Sequence, residues 1–278
     1  MLHDRAVARA GGTALKLASA FGGANAALVV TLERPAPVTA PGAGAKPNVA
    51  ISRAVRASAA DLEPAVLAAR SGYPVDRITR ADDLVRYALA AVAALRERVG
   101  DLRGAGIVVG LGLATIETNT KFLARIPRPE PRRFPYTTPN AAAGECAVAF
   151  GLDGPAFAVG GGPHGGLEAI SVAADLVRAG IIERVVVVAA DESATASEEL
   201  APGTTSGAIA LLVGGSGGEG RITEWGVAYE PAPPPSPLPA MHAHAALAPL
   251  LAGAPRELVA EVPWGGRARV ALTWSDEP

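Results

Sequence analysis

From residue 48 onward, short runs of valine, isoleucine and alanine recur between longer stretches with a helical repeat. The clearest run is RVVVVAA at 184–190. It is too short for a buried helix and apolar at consecutive positions, the pattern of a strand covered on both faces. The same reading predicts strands over 49–55, 106–110, 156–159 and 207–213. Helices are expected over 82–98, 140–150 and 167–179, between the strands. Alternation of this kind predicts an α/β fold, a mostly parallel sheet with helices on both sides. The core must be built from small aliphatic residues, because 49% of the chain is hydrophobic and only 4% aromatic.

Proline and glycine divide the 278 residues. Residues 1–34 read as a short helix and strand. Residues 35–47 (PAPVTAPGAGAKP) are a linker, and 48–230 carry the regular pattern. A second, proline-rich linker spans 231–239, and 240–278 form a tail. The tail reads as a helix over 241–252 and two strands, 257–262 and 267–274. An aromatic residue, two glycines and a strand occur twice, at Phe21-Gly22-Gly23 and at Trp264-Gly265-Gly266. Each is usable as a hairpin. A lone helix and strand cannot bury its own apolar face, so 1–34 is expected to dock, either as an added strand beside the tail hairpin, the favoured reading, or on a partner within reach of the linker.

Charge and ligand chemistry exclude several classes. A net charge of −2 gives no footprint for nucleic acid. One cysteine, Cys146, excludes an internal disulfide and a cysteine zinc site, and fits a cytoplasmic location. It lies on an alanine-rich helix with no neighbouring His or Lys, so it reads as a core residue. His242 and His244 lack a third ligand, so no metal is expected. Gly110-Leu111-Gly112 lacks the third glycine of a dinucleotide loop, and 214–220 (GGSGGEG) has no following Lys-Ser/Thr. The latter reads as a turn between strands. No cofactor is expected. Lys121, Arg125, Arg128, Arg132 and Arg133 form a basic run, suited either to solvent or to an acidic partner. His164, in the glycine-rich loop, reads as a turn residue or as a base at a small acyltransferase or hydrolase site.

The order of motifs carries more. Pro139-Asn140 opens one helix; Gly154-Pro155 and a short strand follow; GGGPHGG at 160–166 leads into the next helix; and a strand ends in Asp191-Glu192. With Asp76-Arg77 and Gly110-Leu111-Gly112, this resembles the β-ketoacyl synthases of the thiolase superfamily. Residues 19–30 (SAFGGANAALVV) resemble that family's closing turn and strand, displaced to the other end. The resemblance implies a thiolase-like layered α/β/α fold, one ketosynthase N-terminal half with a shortened, vestigial second half. Registered on Gly154-Pro155 and Gly166, the family's nucleophilic cysteine falls on Pro163. Proline has neither a nucleophilic side chain nor an N–H for an oxyanion. The family's two histidines and lysine are also unmatched by His3, His164, His242, His244, Lys16, Lys46 and Lys121.

The chain therefore resembles the non-catalytic chain length factor proteins that pair with an active ketosynthase. That resemblance implies a ketosynthase partner, or a second copy, joined through the strand 156–160. It implies an acyl tunnel or interface at Asn140, Phe157, Val159, Pro163 and His164, and an acyl carrier protein against the basic run. A structural homodimer is the remaining alternative.

Overall fold

The computed structural model describes residues 13–19, 25–31, 48–229, 233–262 and 265–275. The chain divides into two units, residues 1–46 and 47–278. In the first, β1 (Thr13–Ser19) pairs antiparallel with β2 (Asn25–Thr31), Thr13 opposite Thr31. A strand stands where a helix was expected. TALKLAS alternates Leu15 and Leu17 with Lys16, and an adjacent pairing partner outweighs the helical propensity of Ala, Leu and Lys. The Phe21-Gly22-Gly23 turn and the linker 35–47 lie outside the described residues.

The second unit is built on one sheet. Its strands are β3 (Val49–Ile51), β4 (Val55–Ala57), β5 (Gly106–Leu111), β6 (Ala156–Gly160), β7 (Arg184–Asp191), β8 (Gly207–Gly214), β9 (Gly220–Tyr229), β10 (Glu257–Val262) and β11 (Gly266–Trp274). The order is β10-β11-β9-β3-β8-β7-β5-β6, with β4 also on β8. The helices are α1 (Pro64–Ser71), α2 (Val75–Arg80), α3 (Asp83–Val99), α4 (Ile116–Leu123), α5 (Ala141–Phe150), α6 (Gly165–Arg178), α7 (Thr195–Leu200) and α8 (Pro249–Ala252).

The sheet is mixed, not mostly parallel. Only β5–β6 and β5–β7 are parallel; β8, β3, β9, β11 and β10 continue antiparallel. A strand covered on both faces is apolar throughout whichever way its neighbour runs, so the valine runs carried no direction. The layers follow the two-residue period. Ile107, Val109, Val186 and Val188 join the core under α3 and α5, with Leu89, Leu95, Cys146 and Phe150. Val108, Val185 and Val187 face the other way, under α6, with Leu167, Ile170, Leu247 and Val270. This is the α/β/α layering the sequence implied.

Three element boundaries differ from expectation for local reasons. The strand expected over 49–55 is broken after Ile51: Ser52 N donates to Leu212 O while Leu212 N donates to Ser52 Oγ, both at 2.9 Å. A hydroxyl thus replaces a ladder carbonyl, and the chain resumes as β4. The helix expected over 241–252 is a 3₁₀ turn, Ala245–Leu247, and the single turn α8, because Pro249 interrupts the ladder and restarts it at its own N1 position. The loop 214–220 does join two strands, but the ten-residue strand it leads into, β9, had not been anticipated.

Candidate functional site at the β6–α6 elbow

Strand β6 ends at Gly160, the chain turns through Gly161, Gly162 and Pro163, and α6 begins after its N-cap residue His164. Its first turn lies on β5 with no side chain between them. A Cβ on Gly110 would sit 2.2 Å from Gly165 O. Glycine at 110, 165 and 166 therefore sets the depth of the elbow, and Gly110 belongs to a strand rather than to a nucleotide loop.

His164 is 4% exposed and its ring meets Tyr229 edge-on at 5.8 Å. Its Nδ1 is buried without a hydrogen-bond partner. Burial pushes the imidazole pKa below its ordinary value, against the opposing pull of Glu168. Glu168 lies one helical turn on. Its Oε1 accepts a 2.8 Å hydrogen bond from the Tyr229 hydroxyl; its Oε2 is unpartnered and 3.8 Å from His164 Nε2. Burial and the Glu168 contact raise the Tyr229 phenol to about 12. A hollow of about 280 Å³ opens here, lined by Gly160, Gly161, His164, Tyr229, Val262, Gly265 and Gly266. Of the five residues expected around an acyl tunnel, His164 alone lines it. Among the described residues no Ser, Thr, Cys, Lys or Arg does.

The other four expected residues surround β6. Pro163 is half-buried in the turn. Asn140 is the N-cap residue of α5, but makes no capping bond, and its Oδ1 is buried without a partner. Phe157 and Val159 pack on the core under α6, whereas Ala156 and Ala158 pack on the α5 side. Aspartate at 157 or 159 therefore attacks this chain's own core first, not selectively an interface. What β6 leaves open is its backbone edge, since it ends the sheet. Pro155 O accepts from Ile107 N at 2.8 Å and Gly161 N donates to Leu111 O at 3.1 Å. By the alternation of a parallel ladder, Phe157 and Val159 bond β5 too, and Ala156, Ala158 and Gly160 turn their N–H and C=O groups outward.

The basic run is largely engaged. Lys121 Nζ lies 3.4 Å from Glu192, and Arg125 and Arg133 share Glu130 at 2.7 and 2.8 Å. Arg128 and Arg132 are exposed, beside exposed Leu123, Ile126 and Phe134. Cys146 is fully buried and burial pushes its thiol pKa up, as expected of a core residue. Among the described residues no group of three His, Cys, Asp or Glu could hold a metal ion, and no helix is long and apolar enough to cross a membrane.

Two polar centres join residues noted in the sequence whose pairing carried no signal there. His244 Nδ1 pairs with Asp191 Oδ2 at 2.6 Å, and Asp191 also accepts from His244 N and Gly112 N. Nearby, Thr205 N donates to His242 Nδ1 at 3.1 Å. These bonds lay the segment 241–244 across the ends of β5 and β7. The approach is close: a Cβ on Gly112 would be 2.3 Å from Met241 O, and one on Gly166 2.4 Å from Ala243 O.

The second centre is Glu192 with Asp82. Thr118 donates to Asp82 at 2.6 Å, and burial, then the Asp82 charge, raises Glu192 to about 7 against Lys121. Between the ordinary 4.5 and about 7 the folded chain holds a proton the unfolded chain has lost, so stability falls as pH rises through that window. The penalty reaches about 3 kcal/mol above it. Glu192→Gln is expected to be about 3 kcal/mol more stable than the parent at pH 8.5 and equal to it at pH 4.5. Urea unfolding at both values checks this; a difference independent of pH contradicts it.

Residues 53–204, more than half of the chain, match the β-ketoacyl synthase N-terminal domain. The chain belongs to the β-ketoacyl synthase family. Solved structures share its fold. The ishigamide ketosynthase/chain length factor aligns with a TM-score of 0.63 at 17% identity, covering 82% of this chain and 99% of that one. The ketosynthase ApeO in complex with its chain length factor ApeC, from Xenorhabdus doucetiae, gives 0.57 at 14%, covering 81% and 99%. AntDE:AntF, a type II PKS acyl-carrier protein in complex with its ketosynthase bound to the hexaketide, gives 0.56 at 11%, covering 82% and 99%. No curated protein matches the sequence.

Proposed function

We propose that this chain is a non-catalytic ketosynthase-like subunit of the chain length factor type. It pairs with an active ketosynthase and shapes the acyl tunnel of a polyketide- or fatty-acid-type, polyene-like synthesis. The observation that carries this reading is Pro163. Registered on Gly154-Pro155 and Gly166, it takes the place of the family's cysteine at the elbow. The elbow hollow, without Ser, Thr or Cys among its described lining residues, supports the same reading. It also weakens the alternative of a small acyltransferase or hydrolase at His164 in so far as that works through an acyl-enzyme, which needs a nucleophilic side chain.

The partner is expected at the open edge of β6, where an antiparallel strand satisfies the outward groups of Ala156, Ala158 and Gly160. Asn140, with its unpartnered Oδ1, and the half-buried Phe157 and Val159 stand around that strand. An acidic acyl carrier protein would meet Arg128 and Arg132, whose side chains are not spent on neighbouring carboxylates, more than the engaged Lys121, Arg125 and Arg133.

The test is chemical and associative. Incubated with acyl- and malonyl-carrier-protein thioesters, the chain is expected to gain no mass and release no carbon dioxide. Pro163→Cys should not restore condensation, because the family's two histidines are unmatched in the sequence. Co-purification with a ketosynthase encoded beside it is expected. A stable acyl adduct, at Cys146 or elsewhere, contradicts the non-catalytic reading. A chain that self-associates and ignores the ketosynthase is a structural homodimer instead.

A further inference from the structure

Glu192, Asp82 and Lys121 stand where several elements meet. A cavity of about 140 Å³ opens between the end of β7, the N-terminus of α3, α4 and the 3₁₀ turn Pro131–Thr137, with Glu192, Asp82, Lys121 and Arg133 in its wall. Glu192 is 6% exposed. Lys121 keeps half of its side chain in solvent. A single contact joins the two, from Lys121 Nζ to Glu192 Oε1 at 3.4 Å. That distance is long for a hydrogen bond, so the contact rests on the opposite charges of its ends.

The other charged groups around Glu192 are committed elsewhere. Asp82 accepts from Val85 N at 3.0 Å and from Thr118 Oγ1 at 2.6 Å. Asp83 pairs with Arg86 at 3.3 Å, and Arg86 also donates to Ile78 O and Thr79 O. Burial, then Asp83 and Glu192, hold the Tyr87 phenol above its ordinary value, so it brings no charge of its own. Arg133 pairs with Glu130 at 2.8 Å. Asp191, the preceding residue, is bound to Gly112 N and His244. Among the described residues Lys121 alone lies within ion-pair distance of Glu192. Ionised, Glu192 stands beside Asp82 in a poorly hydrated cavity and draws the Lys121 ammonium in. Protonated, it leaves that ammonium no charge to answer, and the half-exposed side chain regains its freedom in solvent. Burial, then the Asp82 charge, places this change at about pH 7.

We propose that the Lys121–Glu192 contact is a proton-operated latch on the basic segment 121–133: loss of the Glu192 proton draws Lys121 back against the end of β7, and its return releases Lys121 to the surface. The released side chain joins a continuous rim. Lys121 and Arg133 line the same cavity, Arg133 shares Glu130 with Arg125, and Arg128 and Arg132 are exposed on the same segment. An acidic partner thus meets a more basic surface below about pH 7 than above it. The latch lies within this chain and needs no ketosynthase.

Two readouts on the full-length chain test it. Relaxation of the Lys121 side-chain ¹³Cε should show an ordered side chain at pH 8.5 and a mobile one at pH 5.5, the change following the Glu192 ¹³Cδ titration. Glu192→Gln should leave Lys121 mobile at both values. That variant is expected to be at least as stable as the parent, so unfolding does not explain the result. A sulfated oligosaccharide, whose own charge is constant over this range, reads the surface at fixed ionic strength. On passing from pH 8.5 to pH 5.5 the parent should gain roughly two- to fivefold more affinity for it than Glu192→Gln gains, the worth of one exposed ion pair. Other groups that titrate in this range are common to both chains and cancel in the comparison. Lys121→Met should lose the same increment. If it keeps the increment, Glu192 acts through its own charge and the latch is overturned. A Lys121 side chain equally ordered at both pH values, or one unmoved by Glu192→Gln, also overturns it. None of these outcomes bears on whether the chain pairs with a ketosynthase, so the two readings fail separately.

Discussion

Gly110→Ala is expected to stop the chain from reaching its native sheet. The added methyl would lie 2.2 Å from Gly165 O, 2.6 Å from Gly165 C and 3.0 Å from Gly166 Cα. All three are backbone atoms, so no rotamer change relieves the clash. Either α6 lifts off β5 or β5 leaves its place between β6 and β7. Both routes open the core around Val108, Leu167 and Ile170, and the cost is expected to exceed about 4 kcal/mol. Gly144→Ala provides the contrast. It lies within α5, a Cβ there meets nothing within 4 Å, and no positive φ is required. Alanine at 144 should stabilise the chain by about 0.5–1 kcal/mol. Soluble yield and urea midpoints of the two variants check both signs; a well-folded Gly110→Ala chain contradicts the close approach of helix and strand.

The second large effect separates assembly from folding. Ala158→Pro removes an N–H from the outward edge of β6 and leaves the β5 ladder intact, because residue 158 does not bond β5. Proline is tolerated on such an edge. Phe157→Pro removes a donor that β5 uses. The expectation is that Ala158→Pro keeps the parent's melting behaviour but loses its ketosynthase, with affinity weakened on the order of 100-fold. Phe157→Pro should lose stability outright. Size-exclusion chromatography with a supplied ketosynthase, beside thermal melts, distinguishes them. If Ala158→Pro still binds like the parent, the partner does not sit on β6.

Both predictions rest on features whose legibility differs. The strand β7 was readable because four valines in succession leave no other reading, and α3 because Asp82 caps it, accepting from Val85 N at 3.0 Å. The elbow was readable as an order of motifs, since Gly154-Pro155 and Gly165-Gly166 bracket it in the chain. The reason for Gly110 was not. A strand glycine shows its purpose only when Gly165, far along the chain, is laid against it. The same holds for His244 and Asp191, and for Tyr229 and Glu168, separations that no local period reports. The short helices α4 and α7 escaped for another cause. Each is one or two turns of mostly polar sequence, and the start of α7 is fixed from outside by Glu117, which accepts from Ala194 N and Ser197 N at 2.9 and 2.7 Å. Strand direction escaped because apolar composition does not encode it.

The segment 241–244 across the ends of β5 and β7 has a consequence for what completes those strands. Asp191 is 3% exposed, and of the three hydrogen bonds to its carboxylate, the two from His244 come from 53 residues away. Without that segment the Asp191 carboxylate keeps only Gly112 N among these three donors and is left to water, and three glycines, 112, 166 and 207, lack the chain that fills the space against them. The contacts that complete the β5 and β7 ends are thus long-range ones, supplied like a keystone by a distant piece of chain. The shortened tail is, in that sense, part of the packing of the first half.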